Sequence, residues 1–233
     1  MNSGRSFKKK TPSVEIEKDK SIWVWVSFAT EYRLILDISV GFRTQQEANT
    51  FIAKTASHIS NIPFFLSDGL SLYTGALLET FGHKITFSRS GKRGRPKKPI
   101  VIPDENLKYG QVVKVRQGNR LVQVVHRAVI GQNIDPHTIS TSLIERQNLT
   151  FRQENNRVSR KTIGFSKKIE WLSHQMTLYC TYFNFCRLHR GLTIDNGSGL
   201  RVKRSPALAA GIIDHVWSVN ELFSKKIFKT STN

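Results

Sequence analysis

Phe64-Phe65-Leu66-Ser67-Asp68-Gly69-Leu70 sets a short apolar run against an acid, a glycine and the start of a helical pattern. Three large apolar residues in a row read as a buried strand, and Ser67-Asp68-Gly69 closes it. Leu70 to Thr80 reads as a helix. A strand passing directly into a helix is the joint of an α/β sheet, and the C-terminal ends of such strands are where ligands and catalytic groups gather. Asp68 stands at that end. Its position suits a catalytic or metal-binding carboxylate, and position alone favours the commoner alternative, an N-cap for the helix that follows.

Upstream, Ile22-Trp23-Val24-Trp25-Val26-Ser27-Phe28 is aromatic and β-branched, and Leu34-Ile35-Leu36-Asp37-Ile38-Ser39-Val40 follows after a short turn. Both read as strands of one hairpin. Thr44 to Glu47 fits a capping box, and Ala48, Phe51, Ile52, Thr55, Ala56 and Ile59 recur at helical spacing behind it. Downstream, Lys84 to Phe87 reads as a strand. Residues 88–108 change composition: Gly91-Lys92-Arg93-Gly94-Arg95-Pro96-Lys97-Lys98-Pro99 is basic and punctuated by proline, which predicts an exposed loop. Gln111 to Val115 and Leu121 to Val125 form a hairpin around Gln117-Gly118-Asn119. From Ser140 the pattern is mostly helical. Ile169, Leu172, Met176, Tyr179, Phe183 and Cys186 mark one long amphipathic helix. Gly191 to Gly199 reads as a loop, and Pro206 to Ala210 and His215 to Phe223 as short helices. The order β-β-α-β-α-β followed by helices predicts a mixed α/β sheet. A strand missing from the front also fits, since the sheet begins abruptly at Ile22. The expected organisation is a disordered basic stretch over 1–20, a core over 21–223 with the basic loop 88–108 inserted in it, and a flexible tail over 224–233.

Charge narrows the function. The 36 Lys and Arg outnumber the 17 Asp and Glu, for a formal net charge of +19. A polyanion is the natural partner of such a surface, because neutralising phosphates releases condensed counterions. No stretch joins a basic face to a long apolar face as an interfacial helix does, and no apolar run reaches the length of a membrane span. Met1 to Phe7 has no apolar core of a secretory signal. Cys180 and Cys186 have no zinc-type spacing with other ligands and read as reduced core residues of a cytoplasmic protein, here expected to lie with the nucleoid.

A second acid stands out in Ile139-Ser140-Thr141-Ser142-Leu143-Ile144-Glu145-Arg146-Gln147-Asn148-Leu149-Thr150-Phe151-Arg152-Gln153. Helical spacing puts Glu145, Asn148 and Arg152 on one face and Ile144 and Phe151 on another. One acid among Arg and Asn suits a metal ligand beside a DNA backbone, and it also suits an ordinary solvated face. A strand-end Asp and a helical Glu in a DNA-handling chain together fit metal-assisted phosphoryl transfer. Hard oxygen ligands favour magnesium, with manganese as the substitute. Such sites usually share three carboxylates, and the third is not evident.

At these residues the sequence resembles the DDE transposases of bacterial and archaeal insertion sequences, of the insertion-sequence-one type. The matching pieces are Val40-Gly41-x-Arg43-Thr44, Ser67-Asp68-Gly69-Leu70-x-x-Tyr73, Tyr109-Gly110-Gln111-Val112-Val113-Lys114, Ile144-Glu145-Arg146-x-Asn148-Leu149-x-x-Arg152-Gln153, Lys161-Thr162-x-x-Phe165-Ser166-Lys167, and Tyr182-Phe183-Asn184-Phe185-x-Arg187-x-His189. The last is similar to the family's Tyr-Asn-x-x-Arg-x-His signature, with Phe183 intervening. The pieces run from Val40 to His189, and the resemblance as a whole covers roughly residues 20 to 223. The resemblance implies a ribonuclease-H-like fold and cut-and-join chemistry on transposon ends, with Asp68 as second acid and Glu145 as third. It also implies homo-oligomers on paired ends and an upstream DNA-binding segment or polypeptide.

The departure from the family pattern is at the front. The family's Asp-Glu-x-Trp-x-Phe pattern, counted back from Phe7, puts its Asp on Asn2 and its Trp on Arg5. The resemblance therefore implies that the first acid is absent and the chain is truncated at its N-terminus, or is the second product of a frame-shifted element. Asp37 is the only acid between Glu31 and Glu47 and so the one candidate substitute; its alternative role is structural, paired to a nearby base. Arg93-Gly94-Arg95-Pro96 matches the core of a minor-groove AT-hook, with a basic linker that touches phosphates as the alternative. Arg93, Arg95, Lys97, Lys98, Arg146, Arg152, Lys161, Lys167, Arg187 and His189 are the expected DNA contacts. His189 also suits a cap at the end of the long helix. Three functions stand side by side. One is a transposase catalytic domain that cleaves and joins DNA at insertion-sequence ends, inactive if the first acid is truly lost. Another is a non-catalytic DNA-binding remnant that occupies those ends. The third is an RNA-binding basic protein, which has no need of Asp68 and Glu145 in these contexts.

Overall fold

The computed structural model describes residues 22–87, 97–159, 162–197 and 199–225. They fall into two compact units. One holds the residues up to Trp25 and Gly41–Asn155, and the other Val26–Val40 and the residues from Asn156 on.

Strands β1 (Ile22–Ala29) and β2 (Leu34–Phe42) pair as the expected hairpin. In the first unit, helix α1 (Gln45–Ala56) starts where Thr44 Oγ1 accepts the Glu47 backbone N–H at 3.2 Å. It buries Ala48, Phe51 and Ile52 at the anticipated spacing. Strand β3 (Phe64–Asp68) continues through Ser67 and Asp68, and helix α2 (Leu72–Phe81) follows and packs on α1. Trp25 is the centre of this core: its ring meets Phe51 at 5.9 Å and Tyr73 edge-on at 5.8 Å.

After α2 the chain forms β4 (Gly82–Ile85), which pairs antiparallel with β5 (Ile100–Pro103). The composition of 88–108 predicts loop throughout; its second half instead supplies β5, whose Ile100-Val101-Ile102 run is β-branched but exposed. Strand β6 (Lys108–Gln117) then lies parallel to β3, and β7 (Arg120–Ile130) lies antiparallel to β6. This gives a mixed three-stranded sheet, β3-β6-β7. Parallel neighbours cannot be joined by a tight turn, so the chain between β3 and β6 must cross over, and α2 lies in that crossover. Gly118, at φ +59°, opens the two-residue turn between β6 and β7, where a side chain would be strained. Helix α3 (Ser142–Glu154) completes the unit.

In the second unit, α4 (Ile169–Phe185) is the long helix expected from its periodicity, with Leu172, Met176, Tyr179 and Phe183 buried. The stretch expected as loop, 191–199, is largely strand. Strand β8 (His189–Asp195) pairs with β9 (Arg201–Arg204). Helix α5 (Pro206–Ala209) is capped by Ser205. Helix α6 (Val219–Ser224) starts later than His215, because Ser218 and Glu221 form a complete capping box there. Both cysteines are free thiols. No helix among the described residues is long and apolar enough to cross a membrane.

Candidate active site

Ser67 and Asp68 are neighbours on β3, so their side chains leave opposite faces of the sheet. Ser67 is buried and its hydroxyl lies 2.6 Å from the Tyr109 hydroxyl on β6. Gln111 Nε2 donates to the same Tyr109 oxygen at 2.8 Å. This Ser67-Tyr109-Gln111 network fixes β3 against β6 from the core side. Asp68 therefore projects from the other face. Its register partner is Val112, and Lys114 lies two residues further along β6 on that same face.

Lys114 is held by the second acid. Its ammonium donates to both Glu145 carboxylate oxygens at 2.6 Å, and Thr141 Oγ1 donates to Glu145 Oε1 at 2.8 Å. Glu145 sits in the first turn of α3, where a negative charge also suits the helix dipole. Partial burial alone would raise its carboxyl pKa. The hydrogen bonds from Lys114 and Thr141 and the Lys114 charge outweigh that and hold it below the ordinary carboxylate range. Asp68 and the Lys114–Glu145 pair thus belong to one face of one sheet.

The N-cap alternative for Asp68 takes a modified form. Asp68 Oδ1 accepts the Leu70 N–H at 3.2 Å, ahead of the helix, while the N-cap of α2 is Ser71. The carboxylate shapes the turn and keeps Asp68 half-buried at the strand end. Behind it, burial pushes the Tyr73 phenol well above its usual range. The Asp68 and Tyr109 charges add to this and Arg43 opposes it. Tyr73 therefore stays protonated. Arg43 itself stacks over Trp23 at 4.8 Å.

Asp37 belongs to the second unit. It is buried on β2, and its carbonyl accepts the Ser27 hydroxyl at 3.4 Å. Among the described residues, no group of three or more His, Cys, Asp and Glu side chains is placed to hold a metal ion. Asp68 and Glu145 are hard oxygen donors of the kind magnesium prefers. They are two where such centres share three, and Glu145 is already neutralised by a lysine. The described residues do not complete a metal centre.

The other candidates spread over both units. Arg93, Arg95 and Lys161 lie outside the described residues. Lys97 stands over the Phe87 ring at 5.6 Å and Lys98 is exposed. Arg146 is exposed on α3, and Arg152 is half-buried in its last turn. Asn148, expected on the polar face of α3, is buried with Ile144, Gln147 and Phe151. In the second unit Lys167 is exposed, and Arg187 packs over the Phe183 ring at 5.5 Å. His189 meets the same ring edge-on at 4.6 Å. Burial, with the Arg187 and Arg33 charges, lowers its pKa to about 4. It is therefore neutral at pH 7 and cannot act as a cationic helix cap; the C-cap of α4 is Cys186.

One functional-looking residue has a structural task that its spacing did not reveal. Asn184, inside the Tyr-Asn-x-x-Arg-x-His-like signature, accepts the Ile35 N–H at 3.0 Å and donates to the Ile35 carbonyl at 2.8 Å. Its amide serves β2 as a neighbouring strand would.

No curated protein and no solved structure matches the chain. A family model, that of the IS1 transposase, matches residues 118–186. The matched stretch runs from the β6–β7 turn to the end of α4 and contains Glu145, Arg146, Arg152 and Asn184. Over that stretch the resemblance to the IS1-type DDE transposases holds.

Proposed function

We propose that this chain is the catalytic domain of a DDE transposase, built on a ribonuclease-H-like fold and acting on DNA at insertion-sequence ends. One observation carries the reading: Glu145, within the IS1 transposase match, shares a sheet face with the strand-end Asp68. Asp68 and Glu145 are two of the acids, and magnesium or manganese is the cofactor they would serve. Arg146, Arg152, Lys167 and Arg187 are contacts to the DNA backbone, in keeping with the net charge of +19. The working form is an oligomer on paired ends.

A second reading has its own support. The described residues offer no third acid, and Lys114 occupies the position beside Glu145 that a metal ion would need. A chain so built binds transposon ends without cutting them. One experiment separates the two. The full chain is incubated with supercoiled plasmid in magnesium or manganese, and duplex binding is followed separately by fluorescence anisotropy without metal. The catalytic reading expects metal-dependent nicking that is lost in Asp68→Asn and Glu145→Gln. Binding with no nicking in either metal rejects catalysis and leaves the occupying role. Absence of duplex binding rejects both.

A further inference from the structure

Strand β6 does not end at the candidate acids. Beyond Lys114 the β6–β7 hairpin continues for several residue pairs, and almost every residue of 114–124 is exposed. Neither face of this part is covered. From Lys108 to Ile130 there is no Asp or Glu, while Arg116, Arg120 and Arg127 are all exposed. The register sets Lys114 beside Val124 and Val115 beside Gln123, and past a bulge at Val122 it sets Arg116 beside Leu121 and Gln117 beside Arg120. Cations and exposed apolar side chains alternate around a narrow two-stranded blade.

We propose that this blade enters the major groove of duplex DNA and lays the duplex across the face that carries Asp68 and Glu145. The major groove, roughly 12 Å wide, admits a two-stranded β-ribbon. A ribbon in a groove is flanked on both faces, and this one is bare on both. Arg116, Arg120 and Arg127 reach the phosphates along the groove walls, and Val115, Leu121 and Val124 meet thymine methyls or sugars. A second copy of the chain is a poor occupant, because at a net charge of +19 it presents mainly like charge to a segment without acids. The inference rests on the DNA-handling reading above and adds an element for which no role had been given.

The test uses the full chain and a short mixed-sequence B-form duplex, read by fluorescence anisotropy over a range of salt. In R116Q/R120Q/R127Q, affinity at low salt falls by roughly tenfold or more. The plot of log K against log salt becomes shallower by about 0.9 for each phosphate that is no longer neutralised. The charge-matched variant K54Q/K84Q/K203Q, exposed elsewhere, changes both far less. Equal loss in the two triple variants overturns the proposal, since net charge would then explain everything. An A-form RNA duplex has a deep, narrow major groove that the blade cannot enter, so ribbon dependence as strong on that duplex also overturns it. The proposal fails as well if L121S/V124S converts a dimer to a monomer with DNA affinity unchanged, because the blade is then a self-association edge. Wild-type chain that binds no duplex at all refutes the DNA-handling reading itself. Wild-type binding with an unaffected ribbon variant refutes only the blade.

Discussion

Lys114 and Glu145 show how one residue can decide the state of a candidate site. The ion pair is close but partly open to solvent, with side-chain exposures of 38% and 48%. Its net worth is therefore small, about 0.2–1 kcal/mol. Its effect on Glu145 protonation is larger. Lys114→Met removes the charge and two hydrogen bonds and leaves the burial, so the Glu145 carboxyl should titrate at higher pH than in the wild type. Carboxyl NMR titration reads this directly, and an unchanged midpoint would show that Lys114 does not control the acid. The sign for stability follows: a depressed carboxyl stabilises the fold above its unfolded pKa and loses that contribution as pH falls through the folded value. His189 behaves differently. Its pKa falls from the ordinary 6.5 to about 4 because burial and two arginines disfavour the cation. The unfolded chain takes up the proton first, so stability drains between pH 6.5 and about 4 and the loss ends below that. His189→Leu should flatten that part of the urea-midpoint profile relative to wild type. Parallel profiles would mean that the histidine is not buried as a neutral ring.

At the scale of elements, the Asn184 amide on α4 completes the hydrogen bonding of Ile35 on β2. Asn184→Ala strands the buried Ile35 N–H and leaves the Ile35 carbonyl only the weak Cys180 thiol donor at 3.9 Å. The expected cost is about 1–3 kcal/mol, the range for one unsatisfied buried group. Chemical denaturation measures it, and a loss under about 0.5 kcal/mol would mean that water replaces the amide without penalty. Elements of this kind were only partly legible in the sequence. Strands β1 and β2, helices α1 and α4 and the β6–β7 hairpin declare themselves, because each carries a cap, a turn residue or a periodic apolar face. The β5 and β8–β9 strands do not. Leu192 apart, they are largely exposed, and they lie among basic or glycine-rich residues that read as loop, so only their pairing partners make them strands. Asn148 departs from its expected face for a related reason. A polar residue at the edge of an apolar stripe can turn to either side, and only the packing of α3 chooses. Asp68 and Glu145 were legible as candidates from residue type and place. That one sheet face carries both was not, because it depends on the parallel register of β3 with β6 across the 39 residues between them.

For the molecule as a whole, the proposed function makes affinity and reactivity draw on opposite charges. The excess of 36 basic over 17 acidic residues favours a polyanion anywhere on the surface. Asp68 and Glu145 then work against binding, since a duplex laid over their face brings phosphates towards two carboxylates. Glu145→Gln also releases the Lys114 ammonium from its partner and offers it to the DNA. Asp68→Asn and Glu145→Gln should therefore each tighten duplex binding without metal, by a few-fold at low salt, a gain on the order of 1 kcal/mol for one charge removed near the surface. Screening shrinks that gain as salt rises past the point where the Debye length falls to about 10 Å. In magnesium or manganese the same variants should abolish any nicking, so binding and cleavage move in opposite directions from one substitution. A purely structural role for the two acids predicts something else: lower stability, and affinity that falls or stays level. Anisotropy titrations of both variants beside wild type, at low and high salt and with thermal midpoints recorded, decide between these. Weaker binding by variants of unchanged stability would place the duplex away from the Asp68 and Glu145 face, and the candidate site would have to be sought elsewhere on the chain.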